Sequence, residues 1–142
     1  TEVGRAYKAT RPAEAIAAFT QVAGMLMDDN RFAPAAKIWS EIGDMEAEAN
    51  LDRRAAYTAY VTAADAYRAS NSMVTSQSMQ LKAAEMLSLE GEYAKAIVIY
   101  EAVADAQTDN ASVAYTVRDN LYKALLCQMT LEAQVRRVKC YL

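Results

Sequence analysis

The chain has 142 residues, which is enough for one domain with a buried core and too few for two independent domains of ordinary size. Apolar residues make up 54% of the chain, whereas it has only four glycines and two prolines, so the composition favours helices and provides few β-turns. The net charge is −3 and the basic residues are interspersed with acidic ones, which excludes the basic stripe of a nucleic-acid-binding protein, so we expect no nucleic-acid partner.

Residues that end helices recur at nearly regular intervals along the chain. Five residues that tolerate a left-handed backbone, or that cap a following helix, are spaced by 20, 21, 20 and 19 positions: Asn30, Asn50, Asn71, Gly91 and Asn110. In chain order this spacing predicts six helices, with shorter fragments at both ends: 11–28, 31–48, 52–69, 73–89, 92–107 and 111–130.

Apolar residues repeat in step with these predicted helices. They recur at i, i+4 and i+7, as at Ala56, Tyr60 and Ala63, which is one face of a helix and not of a strand. We interpret the aromatic residues of these stripes, such as Trp39, Tyr60 and Tyr100, as core. Short links make neighbouring helices antiparallel, and a two-helix unit of about 40 residues is typical of helical repeats. We therefore predict an all-α fold, a tetratricopeptide-like, right-handed α-solenoid of antiparallel helical hairpins, as one domain over the whole chain.

The residues of the common catalytic sites are missing from the sequence. There is no histidine, which removes the usual general base and a frequent metal ligand. The glycines are too scattered for a phosphate-binding loop, and Cys127 and Cys140 have no nearby base in the sequence that would activate them. We therefore expect no enzyme activity, no catalytic residue, no cofactor and no metal site.

The cysteines and the apolar stretches indicate a cellular compartment. Two cysteines are too few for a disulfide-stapled secreted scaffold, so we expect both to be reduced thiols in a cytoplasmic protein. No stretch approaches the roughly 20 apolar residues of a membrane span, and the first residues lack the apolar core of a signal peptide. We expect no segment of this chain to insert into a bilayer.

Several segments resemble the alpha-SNAP (soluble NSF attachment protein) family. Three of them are similar to the family segments GRF-x-x-AAK, QYQKAIDIYE and KYSAKDYFFKAALC, in that order: Asn30–Lys37, Glu92–Glu101 and Tyr115–Cys127. Two weaker similarities, to DPQEAI and YEQSADYY, lie between or before them: Arg11–Ile16 and Tyr60–Tyr67. The order and the separations match without gaps from Pro12 to about Cys127.

This resemblance implies a fold and a function. It implies a twisted sheet of helical hairpins that binds the acidic outside of an assembled SNARE four-helix bundle and recruits the NSF ATPase for its disassembly, in vesicle fusion and intracellular transport. Family members also carry an N-terminal apolar loop that touches membrane and a C-terminal helical cap that engages NSF. Neither is visible in residues 1–142, so we expect a central fragment, peripherally associated with membranes through segments absent here.

The resemblance also implies which residues make the contacts. The SNARE-binding contacts fall on four basic residues: Arg31, Lys37, Lys82 and Arg118. They belong to the second, fourth and sixth predicted helices, which alternation would place on one side of the sheet. Glu132 aligns with an acidic position near the NSF-facing end. Ser78 replaces a family lysine four residues before Lys82, which favours weaker binding of a standard SNARE bundle or a divergent partner.

Other interpretations of these residues stay open. Each basic residue could be a solvated surface residue, since the odd-numbered helices also carry basic residues at positions 53, 54, 68 and 95. The alternative function is a generic tetratricopeptide-like scaffold that binds an extended peptide in its groove. A third class, an enzyme subunit, would need activity from a chain without histidine or a phosphate loop.

Overall fold

The computed structural model describes residues 11–48, 52–108 and 114–141. Within these ranges the regular secondary structure consists of helices, which we number in chain order: α1 Pro12–Asp28, α2 Phe32–Glu48, α3 Arg53–Ala69, α4 Met73–Leu89, α5 Tyr93–Gln107 and α6 Ala114–Tyr141. The predicted all-α class is confirmed. The first five helices begin within one residue of the predicted position and end at the predicted residue.

The last helix differs from its prediction. A helix over 111–130 followed by a fragment is wrong, because α6 continues without interruption to Tyr141. Residues 131–141 include no glycine, proline or asparagine that would end a helix, and most of them are good helix formers. Residues 111–113 and the predicted N-terminal fragment lie outside the described residues.

Three of the five predicted helix ends adopt the left-handed backbone that their residue types allow. Asn30, Asn71 and Gly91 have φ angles of 58°, 59° and 82°. After each of them the chain closes the helix in the same way; for example, the N–H of Arg31 donates to the carbonyl of Leu26 at 2.8 Å. These are Schellman ends, which satisfy the last carbonyls of a helix and turn the chain toward the next one. The other two predicted ends lie outside the described residues: Asn50 and Asn110.

The chain consists of two compact units, Thr1–Met86 and Leu87–Leu142. In the first unit one cluster joins α1, α2 and α3 through Ala15, Ile42, Met45 and Ala59. A second cluster joins α3 to α4, and seven buried residues form it: Ala56, Tyr60, Ala63, Ala64, Met79, Ala83 and Met86. The many alanines let the helix backbones approach closely, while the half-buried Trp39 packs against both clusters. The predicted core position of Tyr60 is confirmed, whereas Trp39 packs against the core and is only partly buried.

In the second unit α5 packs against α6. The α5 residues Ala96, Tyr100 and Val103 are buried, as are Ala124 and Cys127 of α6. Tyr100 is 2% exposed, which confirms its predicted core position. The single repeat domain over the whole chain stays a prediction.

Candidate functional site

The predicted contact residues all lie on or beside α2, α4 and α6. Arg31 directly precedes α2, Lys37 lies in its second turn, and Arg118 and Glu132 lie on α6; all four are exposed. Arg31, Lys37 and Arg118 form no ion pair with a carboxylate within the described ranges. Their charges are therefore available to an acidic partner.

Lys82 has a different environment, because its charge already has a partner. Its Nζ lies 2.8 Å from Oδ1 of Asp44 on α2, and 5.4 Å from the centroid of the Tyr60 ring on α3. The side chains of Lys82 and Asp44 are 40% and 39% exposed, so this ion pair is still in contact with water. An aromatic face attracts a cation at this distance. Lys82 is thus held between a carboxylate and a ring.

Tyr60 fixes the carboxylate that holds Lys82. The Tyr60 hydroxyl donates to the same Oδ1 of Asp44 at 2.8 Å. Burial, together with this hydrogen bond to Asp44, raises the pKa of Tyr60 far above its ordinary value, so the phenol stays protonated and keeps donating. We call these three residues, Asp44, Tyr60 and Lys82, the Asp44 clasp. It joins α2, α3 and α4 within the first unit.

Gly43 makes room for the clasp. The Tyr60 ring lies directly against the α2 backbone at this position, so a Cβ on Gly43 would come within 2.6 Å of Cε1 and 2.7 Å of Cδ1 of Tyr60. Glycine therefore permits the close approach of α3 to α2 that brings the Tyr60 hydroxyl to Asp44.

Lys37, Asp44, Ser78 and Lys82 form what we call the α2–α4 face of the first unit. Lys37 and Asp44 are seven residues apart on α2, so they share one side of the helix at a separation of about 10 Å along its axis. Ser78 is one turn before Lys82 on α4 and is exposed. The face therefore presents one free cation, one paired cation and a small polar residue.

The sequence interpretation missed Asp44 and Tyr60 as partners of Lys82. One signal could have found the carboxylate: Asp44 and Lys82 are 38 residues apart, close to the length of a two-helix unit. Residues separated by one such unit occupy equivalent places on successive even-numbered helices, and opposite charges there can pair.

Neither a metal site nor a membrane span is found in the part of the chain that the structure describes. No group of three or more cysteine, aspartate or glutamate side chains is placed to hold a metal ion there. None of the described helices combines the length and the apolar run that crossing a bilayer requires.

Sequential helices that pack through alanine-rich clusters and end in Schellman turns define a helical-repeat protein. The family model described as "Soluble NSF attachment protein, SNAP" matches residues 1–140, so the chain belongs to the SNAP family. The predicted family is thereby confirmed.

Curated relatives carry names from the same family. The chain is 31% identical to an alpha-soluble NSF attachment protein of Vitis vinifera over 90% of its own length, and 30% identical to one of Homo sapiens over 92%. It is 31% identical to a probable vesicular-fusion protein of Schizosaccharomyces pombe over 90% of its length. Each match covers 44% of the relative, so the chain spans less than half the length of these proteins.

Proposed function

We propose that this chain is the part of a SNARE-disassembly adaptor that binds the side of an assembled SNARE bundle, and that the adaptor works with the NSF ATPase in vesicle fusion and intracellular transport. SNAP-family membership over residues 1–140 is the observation that carries this proposal. The relatives' names support it, since they speak of NSF attachment and of vesicular fusion. Binding, and not catalysis, is the activity of the chain, which acts in the cytoplasm and at membranes only peripherally.

Exposed charge gives the proposal a physical mechanism. An acidic helical bundle is attracted by cations whose charge is not already compensated, and Lys37 in the first unit and Arg118 in the second are such cations within the described ranges. Complementary charge of this kind orients a partner and speeds its association more than it adds to affinity. Arg31 contributes in the same way beside the start of α2. Lys82 contributes less while Asp44 neutralises it.

Reversing two of these charges tests the proposal. The variant Lys37→Glu/Arg118→Glu should retain about five- to thirtyfold less assembled SNARE complex in a low-salt pull-down, because each exposed charge contributes modestly and reversal also adds repulsion. The matched control is Arg54→Glu/Lys95→Glu, which changes net charge equally at exposed positions on α3 and α5. Its retention should stay near that of the unmodified chain. Equal retention by both variants would rule out Lys37 and Arg118 as contacts.

The form of the bound partner separates this function from a generic peptide-binding scaffold. An adaptor of the SNARE bundle should bind the folded four-helix bundle and not its separated chains. A generic peptide-binding scaffold should also bind a separated, extended chain. Comparing both forms of the same SNARE proteins in one binding assay decides between the two.

Glu132 is proposed to face NSF and not the SNARE bundle. Glu132→Lys should therefore leave retention of the bundle unchanged while it lowers the amount of NSF recovered with the complex. A loss of bundle binding in this variant would contradict the assignment.

A further inference from the structure

The Asp44 clasp contains a cation that the proposed function needs and a carboxylate that competes for it. Lys82 Nζ and the Tyr60 hydroxyl both contact Oδ1 of Asp44 at 2.8 Å. The ion pair is roughly 40% exposed on both sides, so another carboxylate can reach Lys82 from solvent. Asp44 would not be left without a hydrogen bond if Lys82 turned away, because Tyr60 would still donate to it.

Because of the charges around the Asp44 clasp, Lys82 attracts a distant acidic partner only weakly. Glu48 of α2 and Glu85 of α4 both lie close enough to act electrostatically on the Tyr60 phenol, as Asp44 does. Ser78, one turn before Lys82, adds no positive charge. A distant acidic partner therefore meets a weakly negative region here, in which one lysine is already neutralised.

Building on the proposed function, we propose that Asp44 is a specificity-determining residue of the α2–α4 face, because it acts as the internal counter-ion that a partner carboxylate must replace at Lys82. Binding then exchanges one ion pair for another. A partner with a carboxylate placed to reach Lys82 completes the exchange, whereas a partner that is merely acidic elsewhere gains nothing from this lysine. Asp44 thereby makes the face sensitive to where the partner's acidic residue lies and not only to its net charge.

A double-mutant cycle tests the exchange. Asp44→Asn keeps the shape of the side chain and an oxygen that can accept from the Tyr60 hydroxyl, but it releases the charge of Lys82. We expect this variant to bind the assembled SNARE bundle about two- to fivefold more tightly at low salt, which is the effect of one half-exposed ion pair. In the Lys82→Gln background the same substitution should give a smaller gain, limited to the relief of repulsion from one carboxylate, because there is no lysine charge to release.

Glu41→Gln is the matched control, because it removes a carboxylate one turn away on α2 without releasing Lys82. Its effect on affinity should be smaller and should be the same in the Lys82→Gln background. Far-UV circular dichroism tests whether each variant keeps its helices. Equal gains from Asp44→Asn with and without Lys82, or no gain at all, would overturn the exchange and leave Asp44 a structural residue.

Failure of the proposed function and failure of the ion-pair exchange at Lys82 would give different results. Failure of every variant and of the unmodified chain to bind the bundle overturns the proposed function. Poly-L-glutamate serves as a second acidic probe in the same cycle, and the same coupling between Asp44 and Lys82 is expected with it. Binding of either probe without coupling overturns the exchange alone.

Discussion

Replacing Gly43 by alanine should destabilise the first unit, although the change removes a glycine from the interior of a helix. The new Cβ would lie 2.6 Å, 2.7 Å and 3.0 Å from Cε1, Cδ1 and Cζ of Tyr60. Tyr60 is 3% exposed, and its hydroxyl is bound to Asp44. Moving the ring away from the new Cβ would therefore disturb a buried side chain and stretch or break the hydrogen bond.

The expected size of the effect follows from three contributions. Alanine in place of glycine normally stabilises a helix interior by about 1 kcal/mol. Loss of the Tyr60–Asp44 hydrogen bond costs about 1 kcal/mol, so it roughly cancels that gain. Overpacking a well-packed core costs about 1–3 kcal/mol. The free energy of unfolding should therefore fall by about 1–3 kcal/mol.

Gly24 supplies a matched control on α1. A Cβ there would meet nothing within 4 Å, so Gly24→Ala should raise the free energy of unfolding by up to about 1 kcal/mol. Urea denaturation followed by far-UV circular dichroism measures both variants. The two substitutions should shift the midpoint in opposite directions, and a midpoint for Gly43→Ala at or above that of the unmodified chain would refute the close approach of Tyr60 to α2.

Two further predictions concern a helix end and the cysteines. Gly91→Ala should lower the free energy of unfolding by about 1 kcal/mol in thermal denaturation, because the φ of +82° strains any residue with a Cβ; an unchanged melting temperature would contradict this backbone conformation. Iodoacetamide should modify the exposed Cys140 well before the buried Cys127, as read by mass spectrometry of the native chain. Equal rates would mean that Cys127 is not buried between α5 and α6.

The helices could be predicted because their ends are encoded locally. Asn30, Asn71 and Gly91 mark left-handed positions by their residue type alone, and the structure has a positive φ at each of them. The length of α6 was missed because the sequence after residue 130 shows no stop signal, and a missing signal is weaker evidence than a present one. The regular spacing of the helix ends does not show whether the residues after 130 continue α6 or form a separate fragment.

The candidate site was only partly predictable, because the local sequence predicts the exposure of a side chain but not its partner on another helix. Whether Lys37 is exposed depends on its own helix, so its position in the apolar pattern suffices to predict it. Whether Lys82 is free depends on Asp44, which lies 38 residues away on another helix and is brought to it by Tyr60. Pairing of this kind depends on the register between helices, which local periodicity does not define.

Two lysines of the same face should therefore differ in what they do for a partner. Lys37 is exposed and unpaired within the described ranges, whereas Lys82 is neutralised by Asp44. Because long-range steering follows the summed charge of a region, Lys37→Gln should slow association with the assembled SNARE bundle more than Asp44→Asn/Lys82→Gln, which removes the ion pair without changing net charge. The difference should shrink as salt is raised. Association rates from surface plasmon resonance at two salt concentrations measure this. An equal or larger loss from Asp44→Asn/Lys82→Gln would mean that Asp44 and Lys82 do not act as a neutral pair in solution.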